Sequence, residues 1–304
     1  GATQDPGRCD LEDIRWTAHI ELLSPLHIGT GAYLLEGIDW LRRGDSVYVA
    51  NQNALLEAVF ERAGKARSDA AVAQAIAGMT LNDLVDAGYL LPGDFASGSP
   101  LFRYHLPGRP ATRRIHEQIK DVRGHPYLPG SSLKGALRTV LVLGGREALG
   151  IDAARRVISE LDRVQRLREQ GKPAEARREE AARPLEQAIL APGTPEKRRP
   201  EEATPHYDLL RALQVGDSEP VGPEHLTLIQ VHVYPTAGRS GDPRGLVIDV
   251  EALRPGTLLQ VPVKVEGYLF GPDAEGRPRF GDRRNWLATL PAWARAQAEQ
   301  RIAV

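Results

Sequence analysis

The chain has 304 residues, of which 39 are basic and 40 acidic, and its formal net charge is −1. Hydrophobic residues make up 41% and charged residues 26%, which is ordinary for a globular protein and excludes a wholly disordered or collagen-like chain. The single cysteine, Cys9, excludes a disulfide framework and a multi-cysteine zinc site. Because no apolar run approaches the roughly 20 residues that span a bilayer and the polar N-terminus lacks a signal-peptide core, we expect a cytoplasmic protein without a membrane partner.

The N-terminal third alternates short strands with helices. Period-two alternation over Trp16–Leu22 predicts a strand that runs into a glycine-punctuated turn at His27–Gly31. A second short strand is predicted at Asp45–Ala50, followed by a helix that Asn51 or Asn53 would cap. Residues 68–90 favour one or two small alanine-rich helices, and residues 91–100 a loop.

The rest of the chain continues this interleaving of helices and strands. Predicted elements are a helix at Ser131–Leu143, a helical pair over 152–190 split at Gly171–Pro173, a mobile charged loop at Ala191–Pro205, strands at Leu226–Tyr234 and Leu259–Tyr268, and a final helix at Trp293–Ile302. Pro262 inside the last strand favours an edge position because proline cannot donate to a β-ladder. The order of elements predicts an α+β fold with a sheet covered on one face.

Positive charge is concentrated in one stretch despite the near-zero total. Residues 101–146 hold nine basic and only two acidic residues, so the rest of the chain carries a net charge of −8. Of the 39 basic residues 33 are arginines, the side chain that binds phosphate in a bidentate manner, although a GC-rich or heat-adapted genome would give the same excess. A net-neutral chain that concentrates charge in this way has a strong local field, whatever its total charge.

The segment Pro129–Arg138, with the sequence PGSSLKGALR, is the most informative for chemistry. Gly130 permits a tight turn and Ser131 or Ser132 can cap the helix that begins there, so free N–H groups and hydroxyls would form an anion site. Lys134 and Arg138 lie four residues apart, on one helix face, within reach of the same phosphate. The alternative, a serine-capped surface helix with an incidental lysine and arginine, is equally compatible with this spacing.

Several catalytic patterns are incomplete. Lys134 precedes Gly135, so no P-loop is formed, and Ser131–Lys134 matches S-x-x-K without the S-D-N and K-T-G motifs of serine acyl-enzymes. The histidines show no metal-ligand spacing, so no metal or cofactor is predicted. Asp39, after the glycine turn, is a candidate acid or water-orienting residue, although a turn carboxylate is the simpler interpretation.

Three separated segments together resemble the RAMP superfamily of type III CRISPR effector complexes, which have RRM/ferredoxin-like folds. They are HIGTG at His27–Gly31, PYLPGSSLKGALR at Pro126–Arg138 and DLLRALQVGDS at Asp208–Ser218. The third segment, together with EALRPGT at Glu251–Thr257, is similar to the subunit that caps a type III-A (Csm) complex at the 3′ end of the guide RNA. The resemblance implies an RRM-like core at 1–150 containing the glycine turn and the PGSSLKGALR helix. It implies a charged helical insertion and loop at 151–205 and, at 206–304, strands that complete the core plus a terminal helix.

The resemblance implies a non-catalytic subunit that binds the guide RNA (crRNA) backbone and supports assembly and crRNA 3′-end maturation in antiviral defence. Its other partners would be neighbouring RAMP backbone subunits and a host nuclease that trims the crRNA. Carried over to this sequence, the RNA-binding residues are His27, Gly29, Thr30, Gly31, Arg113, Arg114, Lys120, Arg123, Ser131, Ser132, Lys134 and Arg138. Since only 6% of residues are aromatic and no RNP motif is present, we expect recognition of the RNA backbone rather than its bases.

Two alternatives stay open at this stage. The repeating backbone subunits of the same complexes cleave target RNA with an aspartate soon after the first glycine turn, and Asp39 lies near that position. The residues around it, Trp40–Val49, instead resemble the strand hairpin of the capping subunit, which implies no cleavage. If the chain is not the RNA-binding cap, two alternatives follow. It is a metal-dependent endoribonuclease that uses Asp39, or a scaffold that contacts only protein.

Overall fold

The computed structural model describes residues 12–64, 74, 76–178, 183–192, 207–233, 246–271, 280 and 283–302. Ten strands lie within these ranges: β1 Ile14–Glu21, β2 Gly29–Leu35, β3 Trp40–Arg43, β4 Ser46–Ala50, β5 Phe102–Pro107, β6 Arg114–Gln118, β7 Leu213–Val215, β8 Leu226–Val233, β9 Leu246–Leu253 and β10 Leu258–Val265. The seven α-helices of the described residues are α1 Gln52–Gly64, α2 Leu81–Asp86, α3 Gly130–Ala148, α4 Ala153–Glu169, α5 Pro173–Arg178, α6 Arg183–Leu190 and α7 Arg283–Ile302. The α+β class predicted from the sequence is confirmed.

The chain divides into two compact units that each combine separated segments. Unit 1 comprises Gly1–Ala18, Pro129–Asp217 and Val261–Val304, and unit 2 comprises His19–Leu128 and Ser218–Gln260. This division is spatial, whereas the three parts 1–150, 151–205 and 206–304 follow the chain and stay a prediction.

Unit 2 contains two sheets. One has the order β2-β6-β9-β8, antiparallel except for the parallel pair β6–β9, and the other has the order β3-β4-β5. Trp40 pairs with Val49 in the second sheet, so the strand hairpin implied by the resemblance is confirmed. A core beside this hairpin buries apolar side chains of the second sheet together with those of α1 and α2, including Leu41, Leu55 and Leu84.

In unit 1, helix α3 packs against α6, α7 and β7. Two glycines permit this packing, because a Cβ at Gly144 would lie 2.3 Å from the Trp293 ring and one at Gly145 would lie 2.7 Å from Ile189. Both tryptophans of α7, Trp286 and Trp293, therefore approach the backbone of α3 more closely than any larger residue at these positions would allow.

The predicted edge position of Pro262 is wrong, because β10 is the middle strand of the sheet β1-β10-β7. The ladder between β10 and β7 covers Val263–Val265, so the proline lies just beyond it and no ladder N–H is lost there. Its carbonyl oxygen still accepts a hydrogen bond of 2.9 Å from the Gly216 N–H.

Most predicted elements are confirmed, with shifted ends. The predicted strand at 259–268 ends at Val265 before a 3₁₀ turn, and α7 begins ten residues before the predicted start, with Pro291 in its interior. Strands β2, β5, β6, β7 and β9 were not among the predicted elements, and α1 begins directly after Asn51. The Ala-rich segment at 68–90 lies partly, and the loop at 191–205 mostly, outside the described residues. Among the described residues no helix is long and apolar enough to cross a membrane.

Candidate nucleic-acid interface

The glycine turn in unit 2 forms the bulged start of strand β2 rather than a free loop. The pairing of β2 with β6 shifts register between Gly29 and Tyr33, and Gly31 has a φ of +87°, a left-handed conformation that favours glycine. Thr30 is exposed and its Oγ1 accepts a hydrogen bond of 3.1 Å from the Ala32 N–H. Among the described residues nothing lies within 4 Å of where a Cβ at Gly31 would be, so they leave the outer side of the bulge open.

His27 holds this bulge from the inside. Its Nδ1 lies 2.6 Å from the backbone oxygen of Glu251, and because a carbonyl only accepts, Nδ1 carries the proton. The ring leaves little room at Gly29, where a Cβ would lie 3.0 Å from Nε2. The next N–H, that of Ile28, donates to Oε1 of the buried Gln118 at 2.8 Å. His27 therefore shapes the turn through its Nδ1, while Gly29 leaves the room that the ring needs.

A buried carboxylate lies behind the turn. The Glu251 side chain is fully buried and accepts hydrogen bonds from the Lys120 ammonium, from the Tyr104 hydroxyl at 2.7 Å and from the Gln118 N–H at 3.1 Å. Burial, and then the adjacent Glu251 charge, raise the pKa of Tyr104 well above its usual value, so this hydroxyl stays a donor. Glu117 also pairs with Lys120 at 3.3 Å. Since the Lys120 side chain is only 6% exposed, the geometry argues against its predicted contact with phosphate.

Three other predicted cations of unit 2 are accessible. Arg113 is 91% exposed and lies 3.7 Å from Glu36. Because an exposed ion pair of this kind is weak, Glu36 would compete little with a phosphate for the guanidinium group. Arg123 is exposed in the turn at 121–124, where its N–H donates to Asp121 Oδ1. Arg114, at the start of β6, places its guanidinium 4.9 Å from the Tyr33 ring centroid.

Tyr33 is a surface residue that the motif-based reading missed. It is 44% exposed, and its ring meets that of His116 edge-on at a centroid distance of 6.3 Å. The burial pattern of β2 does not alternate, since Gly29–Tyr33 are all exposed, so no periodicity in the sequence identifies Tyr33. An exposed aromatic ring beside Arg114 is suited to stacking on an unpaired base, which modifies the expectation of pure backbone recognition.

In unit 1, the start of α3 requires glycine for a different reason from the predicted tight turn. A Cβ at Gly130 would lie 2.3 Å from the Val215 carbonyl oxygen and 2.4 Å from that of Gly216, so only glycine fits against the end of β7. The Gly130 N–H donates to Asp217 Oδ1 at 2.8 Å. The chain's own carboxylate therefore occupies one donor of the predicted anion site and complements the positive end of the helix dipole. The segments Pro126–Arg138 and Asp208–Ser218 meet at this point.

Neither serine acts as the predicted N-cap, since that position is occupied by Pro129 and no side chain caps it. The helix begins one residue earlier than predicted because the Asp217 carboxylate satisfies the Gly130 N–H. Ser131 and Ser132 are exposed in the first turn, and their hydroxyls have no hydrogen-bond partner among the residues that the structure describes. The Ser132 N–H donates to the Pro129 carbonyl at 3.0 Å. The two hydroxyls and the Ser131 N–H are therefore the donors left for a ligand.

Lys134 and Arg138 differ in availability although they lie on one helix face. Lys134 is half-buried, and within the described ranges it has no ion pair within 4 Å. Burial lowers the pKa of Lys134, a shift that the charge of Asp208 partly opposes. Arg138 instead forms ion pairs with Asp208 at 2.7 Å and Glu186 at 3.1 Å, and these partners outweigh burial and raise its pKa. Arg138 thus ties α3 to α6, and Lys134 is the cation left to meet a phosphate.

Asp39 has a structural contact in its turn. Its Oδ2 accepts a hydrogen bond of 2.8 Å from the Leu35 N–H, and its own N–H donates to the Leu35 carbonyl at 2.8 Å. Over the described part of the chain no group of three or more His, Cys, Asp or Glu side chains could hold a metal ion. The arrangement corresponds to the turn carboxylate that was the simpler interpretation of the sequence.

Comparison with known proteins yields one group of relatives. Two curated relatives are named CRISPR system Cms protein Csm5. That of Mycobacterium tuberculosis H37Rv is 30% identical over 192 residues, which cover 62% of this chain and 44% of the relative. That of Streptococcus thermophilus is 27% identical over 150 residues, which cover 49% of this chain and 34% of the relative. The chain thus spans less than half the length of the curated relatives it matches.

Two solved structures have a similar fold. Csm5 of T. onnurineus, at 27% identity, superposes with a TM-score of 0.58 over 82% of this chain and 67% of that one. A chain of a Csm–crRNA–target RNA ternary complex of a type III-A CRISPR-Cas system, also 27% identical, gives a TM-score of 0.53 over 81% and 63%. The model of the RAMP superfamily matches residues 19–283, which include the glycine bulge, the start of α3 and the segment at 208–218. On this match the chain belongs to the RAMP superfamily.

Proposed function

We propose that this chain is a guide-RNA-binding subunit of a type III-A CRISPR (Csm) complex, and that it caps the assembly at the 3′ end of the guide. Membership of the RAMP superfamily and relatives named Csm5 support the assignment, as does a similar fold in a complex whose title includes crRNA and target RNA. In this role it does not cleave RNA. It contacts neighbouring RAMP subunits and supports 3′-end maturation of the guide by a host nuclease.

The observation that carries the proposal is the set of free donors at the start of α3. Two serine hydroxyls, the Ser131 N–H and the Lys134 ammonium share the first turns of one helix and lack partners in the described part of the structure. Together they provide neutral donors, a cation and the positive end of a helix dipole, which is the chemistry that binds a phosphate group. Because these groups contact phosphate and not base edges, they position RNA of any sequence.

The bulge of β2 supplies a second proposed contact in unit 2. Thr30 and Gly31 expose their backbone there, and Arg113, Arg114 and Arg123 add accessible guanidinium groups. His27 and Gly29 contribute by holding the shape of the bulge, and Lys120 and Arg138 by holding the fold, so we leave these four out of the direct contacts. Tyr33 joins the contact set as a stacking surface.

Substitution of Lys134 by alanine in the purified chain tests this role. We expect affinity for a single-stranded guide RNA to fall by roughly ten- to a hundredfold, because a charge-assisted hydrogen bond contributes about 1.5–3 kcal/mol. The slope of log affinity against log salt should become shallower by about 0.7, the value for one phosphate contact to a single strand. Fluorescence anisotropy across a salt series measures both quantities.

Lys172→Ala is the matched control, since that lysine of unit 1 is half-exposed and pairs with Glu175 at 3.3 Å outside the proposed contacts. It should leave affinity and slope unchanged. Equal behaviour of the two variants, or assembly of a complex with guides of normal length by the Lys134 variant, would contradict the proposal.

A further inference from the structure

A groove in unit 2, separate from the glycine bulge and from the start of α3, has the composition of a nucleotide site. It has a volume of about 900 Å³ and lies beside β5, at the edge of the three-stranded sheet, and β8, at the edge of the four-stranded one. The loop at 96–99, the 3₁₀ turn Pro223–His225, Tyr48 of β4 and Arg254 also contribute to its lining. A volume of this size is typical of small-molecule and cofactor sites.

The groove is lined by two arginines without internal partners. Arg103 and Arg254 are exposed, and among the described residues neither has a carboxylate within 4 Å. Two other arginines of this unit are paired, Arg62 with Asp94 at 2.6 Å and Arg109 with Asp45 at 2.5 Å. Of the described lining residues one is a carboxylate, Glu224, which lies 3.8 Å from His225 and is itself 68% exposed. The groove therefore carries a net positive charge that the protein does not neutralise.

Aromatic rings lie beside these cations. Tyr48 and His105 are cross-strand partners whose rings stack at a centroid distance of 5.9 Å and an interplanar angle of 30°. Phe95 meets Tyr48 edge-on at 5.2 Å, which fixes the tyrosine ring. Arg103 and His105 lie two residues apart on β5 and so share one face of the strand, where both are exposed. A guanidinium group thus stands next to a preformed ring stack.

We propose that this groove binds a nucleotide of single-stranded RNA, with the phosphates on Arg103 and Arg254 and a base on the His105–Tyr48 stack. Guanidinium groups bind phosphate oxygens in a bidentate manner, and stacked rings accept any base, so the site would hold RNA without reading its sequence. An acidic peptide would bind the two arginines but would make no contact that needs the aromatic rings, so the ring stack favours RNA as the ligand. The inference rests on the proposed function, because it adds a second RNA-binding surface to the same subunit.

The test is the salt dependence of binding to a fluorescent 12-nucleotide oligouridine by the full chain. Arg103→Ala with Arg254→Ala should weaken binding roughly tenfold or more and make the slope shallower by about 1.4, the value for two phosphate contacts. Arg42→Ala with Arg155→Ala removes the same charge at two exposed arginines outside the groove and should change the slope little. Ultraviolet crosslinking followed by mass spectrometry should place the RNA on peptides that contain Tyr48 or His105.

The outcomes separate this inference from the proposed function. If the unmodified chain binds no RNA, both fail. If Lys134→Ala weakens binding while the groove variant matches the Arg42/Arg155 control, the proposed function stands and the groove assignment is overturned. Retained RNA affinity together with loss of binding to a polyglutamate peptide would assign the groove to an acidic protein segment instead.

Discussion

The two motif regions of the molecule use similar polar residues in opposite ways. At the bulge of β2 in unit 2, the polar side chains bond to other groups of the protein. His27 and Lys120 bond to Glu251, and Gln118 accepts a hydrogen bond from the backbone of the turn. At the start of α3 in unit 1, the side chains of the two serines and Lys134 form no hydrogen bond or ion pair with a described residue. The bonds within the protein are made instead by Asp217, which accepts from the Gly130 N–H, and by Arg138, which pairs with Asp208.

The difference shows that internal ion-pair and hydrogen-bond partners, and not residue type, separate the proposed ligand groups from the scaffold groups. Lys120 and Lys134 both belong to the same positively charged stretch, yet one is 6% exposed between two carboxylates and the other has no ion pair among the described residues. Counting charges along the sequence predicts the same phosphate-binding role for both lysines. Only the long-range contact of Lys120 with Glu251 identifies it as a structural counter-ion.

The largest effect is expected at Glu251, on which the bulge region depends. Glu251→Ala leaves the buried ammonium of Lys120 without its closest counter-ion and the Tyr104 hydroxyl without its acceptor. Breaking a buried pair by removing one partner costs about 3–5 kcal/mol of unfolding free energy. Urea denaturation followed by circular dichroism measures this loss.

Glu117→Ala provides the matched control for Glu251. Glu117 contacts the same ammonium at 3.3 Å, but its side chain is 28% exposed, so its loss should cost less than about 1 kcal/mol. Similar losses for the two variants would show that the Glu251 network is not the structural centre that its burial indicates.

Two glycines of α3, Gly130 and Gly135, differ in the space around them, so their alanine variants should have opposite effects on stability. Gly130→Ala forces a Cβ to within 2.3 Å of a carbonyl oxygen and should destabilise the protein by about 2–3 kcal/mol, as overpacking does. At Gly135 a Cβ would have no neighbour within 4 Å in the described part of the chain, so Gly135→Ala should stabilise the protein by about 0.5–1 kcal/mol through helix propensity. The same urea titration measures both changes, and effects of the same sign would contradict the close approach of α3 to β7.

The sequence was sufficient for features that depend on local pattern. Alternation predicted β1 and β4, and the PGSSLKGALR segment predicted α3, because each pattern reflects the periodicity of its own element. Strand β9 was not predicted, since its residues 249–253 are buried and include Asp249 and Glu251, two carboxylates that no strand pattern anticipates. Asp249 is held by N–H groups of Ala111 and Thr112, more than a hundred residues earlier.

The candidate site divides in the same way. Sequence motifs identified the bulge and the helix start, but not the partners that occupy them. The carboxylate at the Gly130 N–H comes from Asp217, and the partners of Arg138 come from 186 and 208, separations over which pattern has no predictive power. The groove beside β5 combines residues from four separate segments, so its arginines become neighbours only in the folded chain.

The smallest effect is expected at Asp39, where structural and catalytic roles predict different results. If its carboxylate only accepts the Leu35 N–H, Asp39→Ala should cost about 1 kcal/mol, the value of one hydrogen bond, and Asp39→Asn should recover most of it because the amide oxygen can still accept. In an assembled complex both variants should leave the positions of target-RNA cleavage unchanged. If the carboxylate were catalytic, Asp39→Asn would still keep the stability but would abolish one cleavage product, which would assign nuclease activity to this subunit.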